Sequence, residues 1–388
     1  METKIKWNEG EGYIIATYEG SGSGSASISS DVNEGIDRVQ TIRVETTRGS
    51  EPKSEAVQVT QIGLREVFEP SDGGFALKDG GTFNVLKPVD ISGYLWIEAL
   101  EDGLTVSLSR NACEYSLDGL AWKSLAAATA TEAINTGQLL VFRGKLTSAT
   151  NVGIGTFTLS KQCRVGGNCM SMLFGDEASG KKSLSGYNYA FYRLFYGATK
   201  LIEVAEDFLP ATTLTTYCYR DMFRGCSALV SAPNLPATAL QTDCYSYMFY
   251  GCTVLKKVPD ELPAKTLKQS SYNSMFYNCK ALVKAPKIAA TTLASQCCRN
   301  MFNNCSELVE APDLLATTLQ SLCYGNMFTN CKKLEYIKAM FLTAPSSSYT
   351  ASWLSGVASA GTFVKNAEAT WDVTGVDGIP SGWTVINE

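Results

Sequence analysis

The chain has 388 residues, 45% hydrophobic and 18% charged, with a net charge of −5 and an isoelectric point near 5.2. This composition is globular, and its acidity argues against nucleic acid, which is bound through clustered Lys and Arg. Histidine is absent, which removes the commonest proton carrier near neutral pH, every Ser-His-Asp or Cys-His nucleophile arrangement and all imidazole zinc sites. Catalysis by paired carboxylates stays open.

The start, METKIKWNEG, is polar and lacks the apolar stretch of a signal peptide. Either a leader has been removed, or the protein is made in the cytoplasm and displayed by other means. No run of about 18 apolar residues suggests a membrane span. Residues 1–66 read as a small all-β domain. Tyr13–Tyr18 is a β-rich run, and Gln40–Glu45 and Ala56–Gln61 alternate with period two around a turn at Gly49–Pro52. Gly20–Gly24 could be a phosphate cradle, but no helix start or Lys follows, so a loop is the preferred reading.

Residues 67–74 read as a linker and 75–165 as a second β-sandwich. Its strand candidates are Thr82–Leu86, Tyr94–Glu98, Leu104–Leu108, Leu139–Phe142 and Gly155–Leu159, spaced by Asp-Gly turns. Trp96, Tyr115 and Trp122 are read as packing aromatics rather than ligand contacts. Glu98, Glu101 and Asp102, near Trp96, are the carboxylates a glycan-active enzyme would have to use; they give a weak case.

Residues 166–341 read as a repeat solenoid. Met222-Phe-x-x-Cys226 recurs from Met248, Met275, Met301 and Met327, with a degenerate copy from Leu194; the spacings are 28, 26, 27, 26 and 26 residues. Each Cys is followed by Leu229, Leu255, Leu282, Leu308 or Leu334, and four copies then carry Pro233, Pro259, Pro286 or Pro312. Leu319, Cys323, Met327 and Cys331 are four apart. That stripe predicts about three helical turns per repeat, followed by one short strand ending at the Pro. One such unit cannot bury its own stripe, so the copies must stack. The expected class is thus two N-terminal β-sandwich domains, which the resemblance given below makes Ig-like, then an α/β leucine-rich-type solenoid, with residues 342–388 as a cap holding Trp353, Trp371 and Trp383.

Thirteen cysteines are present, nine of them in two repeat columns. Partners eight residues apart on a helix would be about 12 Å apart, beyond the roughly 7 Å a disulfide spans. No CxxC spacing suggests zinc. The columns therefore read as small buried hydrophobes, with Cys163 and Cys169 left open. No cofactor is implied.

The Met-Phe-x-x-Cys-x-x-Leu unit, with its Pro and Ala-Thr-x-Leu stretch, resembles the BspA-type leucine-rich repeats of bacterial surface proteins. That resemblance implies a curved solenoid that binds host proteins or surfaces without catalytic residues. The strand Ala56–Gln61, with its closing Thr-Gln, resembles the end of a BACON domain, an Ig-like module of gut-anaerobe bacteria and their phages, and implies carbohydrate or mucin binding. Together they suggest a displayed adhesion protein, foremost a phage fibre or decoration component on the virion surface. A bacterial surface adhesin and a purely structural virion element are the alternatives, and homo-oligomers fit either. The expected partners are surface proteins or glycans, or other virion proteins. The binding face would be the strand side: Glu203, Ser231, Lys257, Lys284, Glu310 and Tyr336, two residues after each repeat Leu, then Asn234, Asp260, Lys287 and Asp313, just after each Pro.

Overall fold

The computed structural model describes residues 91–144 and 153–388 in full, and within residues 1–90 the backbone of seven strands. The chain divides into two units, residues 1–90 with 118–120 and residues 91–117 with 121–388.

In the first unit, β1 (Thr3–Lys4), β2 (Ala16–Tyr18) and β3 (Ala26–Ile28) form an antiparallel sheet. The alternating runs around 40–45 and 56–61 lie in β4 (Asp37–Thr46) and β5 (Lys53–Ile62), which pair antiparallel over ten residues. β6 (Phe75–Ala76) and β7 (Thr82–Val85) complete a sheet of order β5-β4-β7-β6. The strand at 82–85, which the sequence places in the second domain, thus pairs with β4. The Gly20–Gly24 run, the turn at 49–52 and the 67–74 linker lie outside the described residues.

The second unit opens with β8 (Leu95–Ala99), β9 (Val106–Leu108), β10 (Cys113–Ser116), β11 (Lys123–Leu125), β12 (Leu139–Arg143), β13 (Phe157–Leu159) and β14 (Cys163–Gly167). Four of the five predicted strand positions of the 75–165 region are realised here, because Leu95, Ile97, Val106, Leu108, Leu140 and Phe157 turn inward. The sheet order is β11-β10-β12-β8-β14-β15, where β15 (Leu201–Val204) belongs to the first coil of the solenoid and pairs parallel to β14. The β region therefore continues into the repeats through one sheet. It is not a free-standing module.

The helix expected in each repeat does not form. The one α-helix among the described residues is Ser171–Phe174, followed by a 3-10 turn at Gly175–Ala178. Each Met-Phe segment is instead a row of four-residue turns. Every fourth residue is left-handed: Tyr217, Asp221 and Gly225; Asp243, Tyr247 and Gly251; Gln296, Asn300 and Asn304; Leu322, Asn326 and Asn330. Backbone amides alternate between two partners. Those of Tyr219, Asp221, Phe223 and Gly225 donate to Cys244, Ser246, Met248 and Tyr250 in the next coil, while those of Arg220, Met222 and Arg224 reach back three residues to Tyr217, Tyr219 and Asp221. An α-helix would send every amide four residues back and none sideways.

The apolar pattern explains the choice. Cys218, Tyr219, Met222, Phe223 and Cys226 are fully buried, a period of four with no drift. On an α-helix four residues overshoot a full turn by about 40°, so such a stripe would wander off the core. Cys, Tyr, Asp, Phe and Gly are also weak helix formers. A left-handed non-glycine residue costs about 1–2 kcal/mol. Each buried Phe, Met or Leu returns about 1.5–3 kcal/mol and each ladder hydrogen bond about 1 kcal/mol, so burial wins.

The interior is a set of columns. Phe195, Phe223, Phe249, Phe276, Phe302 and Phe328 stack with centroids 5.5–5.7 Å apart and planes within 8°. Phe157 of β13 lies on one end of the column at 5.3 Å and Trp353 on the other at 6.4 Å. On the opposite side the coils meet by single-residue parallel bridges such as Ser231↔Lys257, and by β16 (Glu261–Leu262) with β17 (Lys287–Ile288). This is the narrow ladder expected beside a recurrent Pro.

The C-terminal segment carries a further coil: the amides of Asn326, Phe328 and Asn330 donate to Ala351, Trp353 and Ser355. Beyond it β18 (Tyr336–Ala339), β19 (Thr362–Lys365) and β20 (Thr384–Asn387) run parallel. Trp353, Trp371 and Trp383 are buried, and their indole N–H groups donate to the carbonyls of Gly378, Phe341 and Ala358. They are packing residues.

Candidate binding surfaces

All thirteen cysteines are buried and unpaired. In the second column the thiols of Cys226, Cys252, Cys279, Cys305 and Cys331 donate to the carbonyls of Phe195, Phe223, Phe249, Phe276 and Phe302 in the preceding coil, at 3.1–3.2 Å. Cysteine suits the position because it is small, apolar and still a weak donor. Burial pushes the thiols of Cys113, Cys163, Cys226 and Cys305 up to about 12, so they are protonated at neutral pH. Among the described residues no group of three or more Cys, Asp or Glu is arranged to hold a metal.

The carboxylates considered for glycan chemistry are each engaged separately. Glu98 is buried and takes a two-pronged contact from Arg164, at 2.7 and 2.9 Å. Asp102 accepts from the amide and hydroxyl of Thr136, which hold its carboxyl below the usual range. Glu101 accepts from the Gln162 amide at 3.4 Å. Trp96 of β8 lays its indole against β14, where a Cβ on Gly166 would come within 2.2 Å of the ring; the glycine is there to admit it. Tyr115 is buried, and Trp122 sits under the Arg143 guanidinium at 4.0 Å, beside Tyr94.

The sequence-derived binding row is assembled by the fold. Parallel bridges join Glu203 to Ser231 and Ser231 to Lys257, then Lys284 to Glu310 and Glu310 to Tyr336. Glu203, Lys257, Lys284 and Glu310 are exposed, Tyr336 is half-buried, and Ser231 is buried. Lys257 donates to Glu206 at 2.6 Å, and that carboxylate holds its ammonium above the usual range. Burial, and then Asp313, raise the Tyr336 phenol. In the second row Asn234, Lys287 and Asp313 are exposed. Asp260 is exposed too, but Glu261 is the residue that pairs with Lys287. The extra residue in that 27-residue repeat pushes Asp260 one place out of register.

A second surface went unread in the sequence: the outer side of the turn rows. Tyr196, Arg224, Tyr250 and Tyr277 occupy one position in four successive coils. Arg224 lies 4.5 Å from the Tyr250 ring, and Tyr250 stacks on Tyr277 at 4.5 Å and 4°. Beside them Arg193, Arg220 and Arg224 surround the Asp221 carboxylate at 3.6, 3.7 and 3.1 Å. Arg220 also pairs with Asp243 at 2.9 Å and lies over the Tyr217 and Tyr247 rings. In later coils Asn303 and Thr329 take the Tyr196 position, and Asn300 and Asn326 take the Arg193 position. The available signal was Tyr and Arg recurring at four-residue steps, which a helical reading assigns to a solvated face.

Comparison with family models, with curated proteins and with solved structures finds no match. No helix among the described residues is long and apolar enough to cross a membrane.

Proposed function

We propose that this protein is a non-catalytic binding protein displayed on a surface, foremost a phage fibre or decoration component made in the host cytoplasm and carried on the virion, which contacts host-surface or mucin proteins and glycans. The observation that carries the reading is the contrast between a fixed interior and changing outward rows: Leu, Met, Phe and Cys recur unaltered inside, while Glu203, Lys257, Lys284, Glu310 and Tyr336 change charge and type outside. A repeated core holds such rows rigidly and leaves the outward residues free to vary. The BspA-type and BACON resemblances belong to this reading, as does an Ig-like fold for the first β region.

A structural role in the virion is the second reading. It is favoured by the unbroken Phe stack, closed by Phe157 and Trp353, which makes a stiff spacer. The two readings separate in a retention assay on immobilised mucin and on bacterial cells. The binding reading expects the full chain to be retained, and Lys257→Glu with Lys284→Glu to weaken retention by about tenfold. A wild-type chain that binds neither surface but joins virion proteins would leave the structural reading in its place.

A further inference from the structure

The turn-row surface differs in chemistry from the bridge row and points to a different kind of contact. Its charge is one-sided: Arg193, Arg220 and Arg224 are 44%, 30% and 32% exposed, whereas Asp221 and Asp243, which hold them, are 2% and 14% exposed. A chain of net charge −5 thus turns guanidinium groups outward from one patch and hides the balancing carboxylates beneath. The patch is also stiff. Tyr189 and Tyr217 stack at 4.6 Å, Arg193 lies over Tyr192 and Tyr196, and the backbone below is hydrogen-bonded to the neighbouring coils.

We propose that this patch docks an acidic segment of a partner protein. The claim rests on the binding role proposed above and adds its second surface and the partner's chemistry. Tyr and Arg on a rigid support are the residues that carry most contact energy at protein interfaces, since little rotamer freedom is lost on docking. Saccharides would need open ring faces. Here Arg224 and Tyr277 both lie against the Tyr250 ring, which leaves it little open face beside the part-exposed guanidinium groups. Those groups suit carboxylates, which guanidinium can bind with two parallel hydrogen bonds.

The test uses the full chain with a poly-glutamate peptide as the acidic probe and heparin as a sulfated glycan. The wild-type chain should bind poly-glutamate more tightly than heparin, and added salt should weaken that binding. Arg193→Gln with Tyr196→Ala, both at exposed positions outside the Phe and Cys columns, should weaken it by about tenfold while the chain still melts cooperatively. Lys161→Gln, at an exposed position between β13 and β14 and in neither row, should leave it unaltered. Heparin bound in preference, or poly-glutamate binding indifferent to the Arg193 and Tyr196 changes, overturns the proposal. If the wild-type chain is retained on mucin or cells while the patch variant behaves identically to it, this inference fails and the broader binding role stands. If the wild-type chain binds neither surface nor poly-glutamate, both fail.

Discussion

The antiparallel strands of residues 95–167 and the turn rows of residues 189–356 bury comparable side chains by different backbone routes. In the strands, the amides pair edge to edge and side chains alternate with period two, so Leu95, Ile97 and Ala99 face the core in the plain way. In the turn rows half the amides pair sideways and half close turns, with a left-handed residue every fourth place. The comparison shows that a stripe at i, i+4 and i+8 is not by itself a helix. A chain of four-residue turns makes the same stripe and keeps it straight.

The two regions should part most clearly in alkali. Ten of the thirteen buried thiols lie in the repeats, from Cys218 to Cys331, and three in Cys113, Cys163 and Cys169. A thiol whose folded pKa is raised above its unfolded value of about 8.5–9 contributes its full stability below that value. The contribution is lost as pH climbs toward about 12, because the unfolded chain releases protons that the folded chain retains. Each such thiol removes about 1.4 kcal/mol per pH unit in that window, so several acting together should unfold the repeats first. Denaturant melts followed by thiol titration between pH 8 and 11 would check this. Thiols reacting in the folded protein at pH 8 would break it.

A smaller effect sharpens the same contrast. Phe276→Ala opens a hole in the middle of the stack between Phe249 and Phe302 and should cost about 3–5 kcal/mol in urea unfolding. A loss under 1 kcal/mol would mean that the column is not a continuous packed core.

Much of this was legible in the residues. The register of the repeats, the buried Leu, Met, Phe and Cys columns, the short bridges beside the prolines and the inward tryptophans all follow from apolar spacing. The turn rows were not, because a period of four was matched to the nearest familiar period, 3.6. The correcting signal was Gly197, Gly225, Gly251, Asn278, Asn304 and Asn330 in one column, and Asn300 and Asn326 four residues earlier in theirs; glycine and asparagine are the residues that accept a left-handed backbone. A one-residue insertion displaced Asp260 in favour of Glu261, which only the pairing with Lys287 reveals. The Tyr and Arg patch was hidden by the same helical period, which assigns its four-residue steps to a solvated face, and stacking of the coils brings its members together.

The left-handed positions also supply the most direct test of the turn rows themselves. Asn300 and Asn326 sit in the middle of segments that a helical reading would make continuous helix, and both have positive φ, 57° and 53°. Asn300→Ala with Asn326→Ala, compared with the glycine pair at the same sites, separates the two backbones in one set of thermal and urea melts. Turn rows predict a loss of about 1 kcal/mol per alanine and stability at or above wild type for glycine. The contradicting result is alanine raising stability and glycine lowering it, as the helix propensities of the two residues require.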